Sequence, residues 1–113
     1  MPFVWRVLLV VMGCAVLAPH VWALDLDVEI HGVDGQLKRN VEAFLQIYQE
    51  RKTPNLRITR LRRLHNRAPE QIRRALQPFG YYRVEVAAEL TREDANRSAW
   101  VAAYRIDPGE QAV

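Results

Sequence analysis

The spacing of apolar residues changes twice along the chain. Between residues 24 and 31 hydrophobic and polar side chains alternate, which is typical of a strand with one buried face. Between residues 37 and 79 apolar side chains recur at every third or fourth position, which is typical of amphipathic helices. From residue 82 to residue 106 the period of two returns. The pattern predicts the order strand, helix, helix, strand, strand.

The helical region divides into two parts. The first helix is predicted over residues 37–49, and the second helical pattern covers residues 58–79. Because proline lacks an N–H and clashes with the preceding turn, Pro69 should interrupt the second pattern, with a short helix to about Asn66 and a new helix that has Pro69 in its first turn. The apolar stripe predicted for the first helix consists of Leu37, Val41, Phe44, Leu45 and Tyr48.

Two alternating segments follow the helices. Residues 82–90 and 100–106 are separated by a polar reversal at residues 92–97, which predicts an antiparallel hairpin. The side chains predicted to share the apolar face of its first strand are Tyr82, Val84, Val86, Ala88 and Leu90.

All three predicted strands are apolar on one face, so the fold class is α+β, a two-layer sandwich with a three-stranded mixed sheet covered by two helices. A right-handed crossover makes the first strand parallel to its neighbour. We place the last strand in the middle, which leaves the strands at 24–31 and 82–90 as the edges.

The first 23 residues have the layout of an export signal. Arg6 is their only charge, an apolar run of about a dozen residues follows, and a membrane-spanning helix needs roughly 20. Small residues before Leu24 mark a cleavage site there. In the alternative, Cys14 is the lipidated first residue of a lipoprotein, although apolar rather than polar residues follow it. After cleavage at Leu24 no cysteine remains, and the destination is the periplasm or beyond.

Positive charge is concentrated in the second helical region. Residues 51–74 contain nine basic side chains and one carboxylate. The candidate arginine face consists of Arg60, Arg62, Arg63, Arg67 and Arg74. It is either a docking surface for an acidic partner or lipid headgroups, or a solvated helix face balanced by the acidic strands. Nucleic acid is not an expected partner, because a KH-type domain needs a Gly-x-x-Gly loop between its helices, and no such loop occurs between the two predicted helices.

A second candidate surface is an edge strand. Unpaired backbone groups at a sheet edge can accept a strand from a partner. The alternative is an edge that is merely guarded by charged side chains. The edge residues predicted to bind a partner are Tyr82, Arg83, Val84, Glu85 and Val86.

A catalytic or metal-binding role finds little support in the sequence. His31 and His65 lie on separate elements without a cluster of carboxylates or cysteines, so we expect no enzyme, no metal site and no cofactor.

Specific sequence runs carry a family resemblance. The segment 62–82, which ends in Gly80-Tyr81-Tyr82, and the terminal Ile106-Asp107-Pro108-Gly109 resemble polypeptide-transport-associated (POTRA) domains, in particular the amino-terminal POTRA domain of the TamA family. The resemblance implies a POTRA domain over residues 24–108 and the start of a linker at residues 109–113. It also implies that the chain is an amino-terminal fragment of a longer protein with further POTRA domains and an outer-membrane barrel.

What the resemblance implies about function is protein assembly. Members of that family work with the inner-membrane-anchored TamB to insert or export autotransporters and other outer-membrane proteins. A TamB-like protein and unfolded outer-membrane substrates are therefore the expected partners, at the periplasmic face of the outer membrane. The alternative is a self-standing periplasmic binding domain or lipoprotein that recognises an anionic ligand.

Overall fold

A computed structural model describes residues 24–94 and 99–112, so the predicted export signal at residues 1–23 lies outside the described residues. The described elements follow the predicted order, with one additional short helix. They are β1 (Asp25–His31), α1 (Gly35–Phe44), α2 (Gln46–Gln49), α3 (Ile58–Leu76), a 3₁₀ turn (Gln77–Phe79), β2 (Glu85–Asp94) and β3 (Ala99–Asp107).

The three strands form one mixed sheet in the order β1-β3-β2. β1 pairs with β3 in parallel, with Ile30 opposite Tyr104, and β2 pairs with β3 antiparallel, with Ala88 opposite the same tyrosine. The predicted fold class is confirmed: a three-stranded mixed sheet packed against helices, with the last strand in the middle and β1 and β2 at the edges.

The core lies between the sheet and the helices. Tyr104, at the centre of β3, is the largest of the fully buried side chains in the described residues, and a buried aromatic ring contributes a large area to a core. From the helix side, α3 contributes a stripe at the spacing of three to four residues that the sequence predicts. Its buried residues are Leu61, Leu64, Ala68, Ile72, Ala75 and Leu76.

The predicted first helix is two helices. Leu45 has an extended backbone (φ −85°, ψ 102°) and separates α1 from α2. Residues two apart do not share a face of a straight helix, yet Leu45 and Ile47 are both fully buried. The break makes this possible, and the side-chain oxygen of Gln71 accepts the N–H of Gln46 at 3.0 Å where α2 begins. Phe44, predicted in the buried stripe, is instead 44% exposed.

The prediction of a break at Pro69 is wrong, because α3 continues without interruption through this residue. Proline in a helix interior removes one backbone hydrogen bond, at a cost of about 3 kcal/mol. The apolar residues on both sides of Pro69, among them Leu64 and Ile72, are buried against the same core. Their packing holds the two halves of the helix in line.

The first strand of the hairpin begins and ends later than predicted. Tyr82 lies before β2 and is 67% exposed, so its place on the apolar face was wrongly predicted. The strand continues through the predicted polar reversal as far as Asp94, because Arg92 pairs with Trp100 and Asp94 with Ala99 across a register shift. Residues 95–98 lie outside the described part of the chain.

The end of the first sequence run that carries the family resemblance contacts the residues that follow the second run. Tyr81 forms a bridge with Gln111, the Ala112 N–H donates to the Gly80 carbonyl at 2.8 Å, and the Gln111 side chain donates to the Phe79 carbonyl at 2.8 Å. Residues 110–112 therefore run along the end of the helical segment. That residues 109–113 begin a linker stays a prediction.

A glycine after β1 is required by a close backbone approach. Gly32 has φ +101°, and a Cβ at this position would overlap the carbonyl oxygen of Ile106. Gly35 also has a positive φ (+56°), but a Cβ there would meet nothing within 4 Å. A side chain at position 32 would therefore cause both steric overlap and backbone strain, whereas a side chain at position 35 would cause backbone strain alone.

We predict that Gly32→Ala lowers the free energy of unfolding far more than Gly35→Ala. The Gly35 variant should lose about 1–2 kcal/mol, the cost of a left-handed conformation for a residue with a Cβ. The Gly32 variant bears a cost of the same kind and must also move Gly32 or β3. Urea unfolding followed by circular dichroism measures both, and equal losses would contradict the close approach.

Candidate docking surfaces

One edge of the sheet is free along β2. In the described part of the chain β2 has a neighbouring strand on one side only, so alternate residues direct their N–H and C=O groups away from β3. The pairing with β3 is regular from Glu85 to Arg92 and shifts register after that. A partner strand could therefore add along this regular part of β2.

The five predicted edge residues occupy different environments. Glu85 and Val86 begin β2, whereas Tyr82 and Arg83 are exposed residues that precede the strand. Val84 is 7% exposed and packs into the core, so its side chain is not available to a partner. The structure brings Glu85 and Val86 to the edge and extends that edge to residues that were predicted only as strand, not as binding residues. Binding by these residues stays a prediction.

The other edge strand carries carboxylates at alternate positions. In β1, Asp25, Asp27 and Glu29 all face away from the helices and are exposed. Charged side chains on an edge discourage the addition of another strand. β2 has a less charged stretch at Val86, Ala87 and Ala88. This difference favours the outer edge of β2 over that of β1.

The arginine face lies on the solvent side of α3, but its members are not equivalent. Arg60 makes two hydrogen bonds to the Glu50 carboxylate, at 2.8 and 2.7 Å, and so joins α3 to the end of α2. Arg74 lies 3.4 Å from the carboxylate of Glu70 one turn earlier, with both side chains largely exposed. Exposed pairs of this kind contribute little stability. Arg60 is thus in part a structural residue.

The remaining three arginines point into solvent. Arg62, Arg63 and Arg67 are exposed, and none has a hydrogen bond or an ion pair to another residue that the structure describes. Arg63, Arg67 and Arg74 are four and seven residues apart, so they project from one side of the helix in a line. These guanidinium groups are available to an external anion.

One pair of polar side chains joins the two layers inside the protein. The ring nitrogen Nδ1 of His65 on α3 lies 2.7 Å from the hydroxyl oxygen of Tyr104 on β3, and the tautomer decides which of them donates. Burial lowers the pKa of His65 below its ordinary value of 6.5, and it raises the pKa of the Tyr104 hydroxyl well above its usual range. The pair links helix to sheet and satisfies a buried hydroxyl.

Among residues 24–94 and 99–112, no group of three or more histidine, cysteine or carboxylate side chains could hold a metal ion. Within the same ranges no helix is both long enough and apolar enough to cross the bilayer.

Two features of the helix layer were missed by the sequence analysis. The first is the exposure of Phe44. The sequence signal for it was Ile47, because this apolar residue lies outside the predicted stripe and indicates that the buried face of the helix changes there. The second is the pairing of Glu50 with Arg60. Glu50 lies in a connector ten residues before Arg60, and no local spacing rule joins them.

Comparison with known proteins agrees with this description. A two-layer α+β domain with a three-stranded mixed sheet and its last strand in the middle is consistent with the fold of a POTRA domain. The chain matches the family model "POTRA domain TamA domain 1" over residues 27–108, well over half of its length. The protein therefore belongs to the TamA-type POTRA family, whose role is in outer-membrane assembly.

Stability should fall as the solution is acidified below about pH 6.5. Because the pKa of His65 is lowered in the folded state, the unfolded chain binds more protons in the range from 6.5 down to the folded-state pKa, and unfolding becomes more favourable there. Above pH 6.5 this contribution is fully present. Urea unfolding at a series of pH values between 5 and 8 measures the change.

One variant tests the assignment to His65. His65→Gln should reduce the slope of stability against pH, because it removes the imidazole whose pKa is lowered by burial. An unchanged slope in His65→Gln would show that another group is responsible.

Proposed function

We propose that this POTRA domain is a non-enzymatic docking module on the periplasmic side of the outer membrane. It would hold a partner protein through the outer edge of β2 while that partner is assembled or passed on. The observation that carries this proposal is the free edge of β2, regularly paired on its inner side from Glu85 to Arg92. Membership of the TamA-type family supports the cellular setting.

Addition of a strand suits a domain that handles many different chains. A partner strand would bond to main-chain groups of β2, and main-chain bonding depends little on the partner's sequence. Ala87 and Ala88 are exposed, and their small side chains leave room for the side chains of an incoming strand. The proposed occupants are a segment of a TamB-like protein or an unfolded outer-membrane or autotransporter substrate.

Residues next to the strand can extend the contact. Tyr82 is the most exposed large hydrophobic residue of the described chain. It lines a shallow cleft of about 250 Å³ with Arg83, Glu110 and Gln111. An aromatic ring at the start of the edge could pack on the end of an added strand, since tyrosine offers a large rigid surface at low entropy cost.

Proline substitutions at two adjacent positions provide a test. Alternate residues of an edge strand direct their N–H groups to opposite sides, so of Ala87→Pro and Ala88→Pro one removes an outward N–H and the other an N–H that faces β3. The outward variant should stay folded and lose its partner. The inward variant should lose about 2 kcal/mol of stability or more, because a ladder bond is broken.

Partner capture is measured by crosslinking in intact cells from a photoreactive residue at Thr91, an exposed position on the same strand. Thermal unfolding identifies which proline variant is the folded one, and Ala87→Ser and Ala88→Ser are the matched controls. Full crosslinking by the folded proline variant would refute docking at the β2 edge.

A further inference from the structure

The two layers of the domain carry charges of opposite sign on their outer faces. On the helix side, Arg62, Arg63 and Arg67 are exposed and have no hydrogen bond or ion pair within residues 24–94 and 99–112. The side of the sheet that faces away from the helices carries mainly carboxylates. The exposed residues on that side include Asp25, Asp27, Glu29, Glu85 and Glu89, against Arg105 and His31.

Because of this separation of charge, the domain has an electric dipole and takes a preferred orientation in an electric field. A negatively charged plane attracts the helix layer and repels the sheet layer, and both effects act over about 10 Å at moderate ionic strength. A charged plane therefore selects one orientation of the domain. A domain with the same net charge spread evenly over its surface would have no preferred orientation.

The helix layer also exposes an aromatic side chain. The Asn40 side chain donates to the Ala75 carbonyl at 2.6 Å and the Gln46 N–H bonds to Gln71 at 3.0 Å, so residues 40–46 run antiparallel to the second half of α3. Phe44 lies within this stretch and is 44% exposed. An exposed aromatic ring on the same layer as exposed arginines is a combination found in proteins that bind at the membrane interface.

We infer that the arginine face, together with Phe44, binds the phosphate groups of an anionic phospholipid surface and holds the helix layer against it. This inference rests on the proposed location at the membrane. The basic side chains of α3 are all arginines, and a guanidinium group pairs with phosphate through two parallel hydrogen bonds. These groups project from a convex helix surface, which suits an extended layer of headgroups better than a single acidic peptide.

The orientation keeps the other docking surface free. With the helix layer on the bilayer, the sheet lies above the helices and its edges point sideways. The outer edge of β2 then remains open to a partner strand. Lipid contact and strand addition are compatible in one bound state.

Cosedimentation with vesicles tests the inference. Residues 24–113 are suitable because every buried core residue of the described chain lies between Ile30 and Ile106. This piece should sediment with vesicles of phosphatidylcholine mixed with phosphatidylglycerol, and much less with phosphatidylcholine alone. Binding should weaken as the salt concentration rises. Arg63→Glu/Arg67→Glu should reduce the affinity roughly tenfold or more, since each arginine near an anionic surface contributes measurably.

The matched control is Lys52→Glu/Arg105→Glu, which changes the net charge equally but at exposed positions outside α1 and α3. This control should bind nearly as well as the wild type, and Phe44→Ala should bind more weakly than the wild type. Circular dichroism checks that each variant is folded. Equal losses in the two charge variants, or equal binding to both vesicle types, would overturn the inference.

Binding to soluble polyglutamate without binding to anionic vesicles would also overturn it, because the arginine face would then serve an acidic protein. The crosslinking from β2 is a separate measurement. If the wild-type domain fails to bind anionic vesicles while crosslinking from Thr91 succeeds and is lost in the folded proline variant, only the lipid contact is refuted. If the wild-type domain binds the vesicles while crosslinking from Thr91 fails or persists in the folded proline variant, only the edge docking is refuted.

Discussion

The structure depends on the parallel pairing of the first strand with the last. β1 and β3 are parallel. Two parallel strands must be joined by a crossover connection, and this connection lies over one face of the sheet. All the helices occupy that crossover. As a result the helices of the described residues cover one face of the sheet, and none of them covers the other. Because β3 takes the central position, with Tyr104 fully buried beneath α3, the strands on either side of it become edges.

The surfaces available for docking follow from this arrangement. Each edge strand keeps one row of backbone groups unpaired within the described chain, and side chains decide which row is usable. β1 is protected by carboxylates at alternate positions, whereas β2 has a stretch of small residues. The separation of charge has the same origin, since the solvent side of α3 and the open side of the sheet face in opposite directions. An edge for strand addition and a basic layer can therefore act independently.

A polar contact in the interior helps to fix this architecture. The described residues include no buried side-chain polar atom without a partner, and the contact between His65 and Tyr104 joins α3 to the centre of β3. A buried hydroxyl that loses its partner costs about 1–3 kcal/mol, so this contact favours one placement of α3 over the sheet. It makes the placement specific, while the apolar stripe of the helix supplies most of the stabilisation.

The sequence by itself determined the order of the elements, the mixed sheet with its last strand in the middle, and the family, because strand and helix periods and the handedness of crossovers are local or general rules. Only the tertiary structure decided that the first helix breaks at Leu45, that α3 continues through Pro69, and that Phe44 and Tyr82 are exposed. These outcomes depend on what packs across the interface. The same holds for the docking surfaces: the sequence identified the arginines, but the position of Glu50 in space determined that Arg60 is engaged while Arg63 and Arg67 are free.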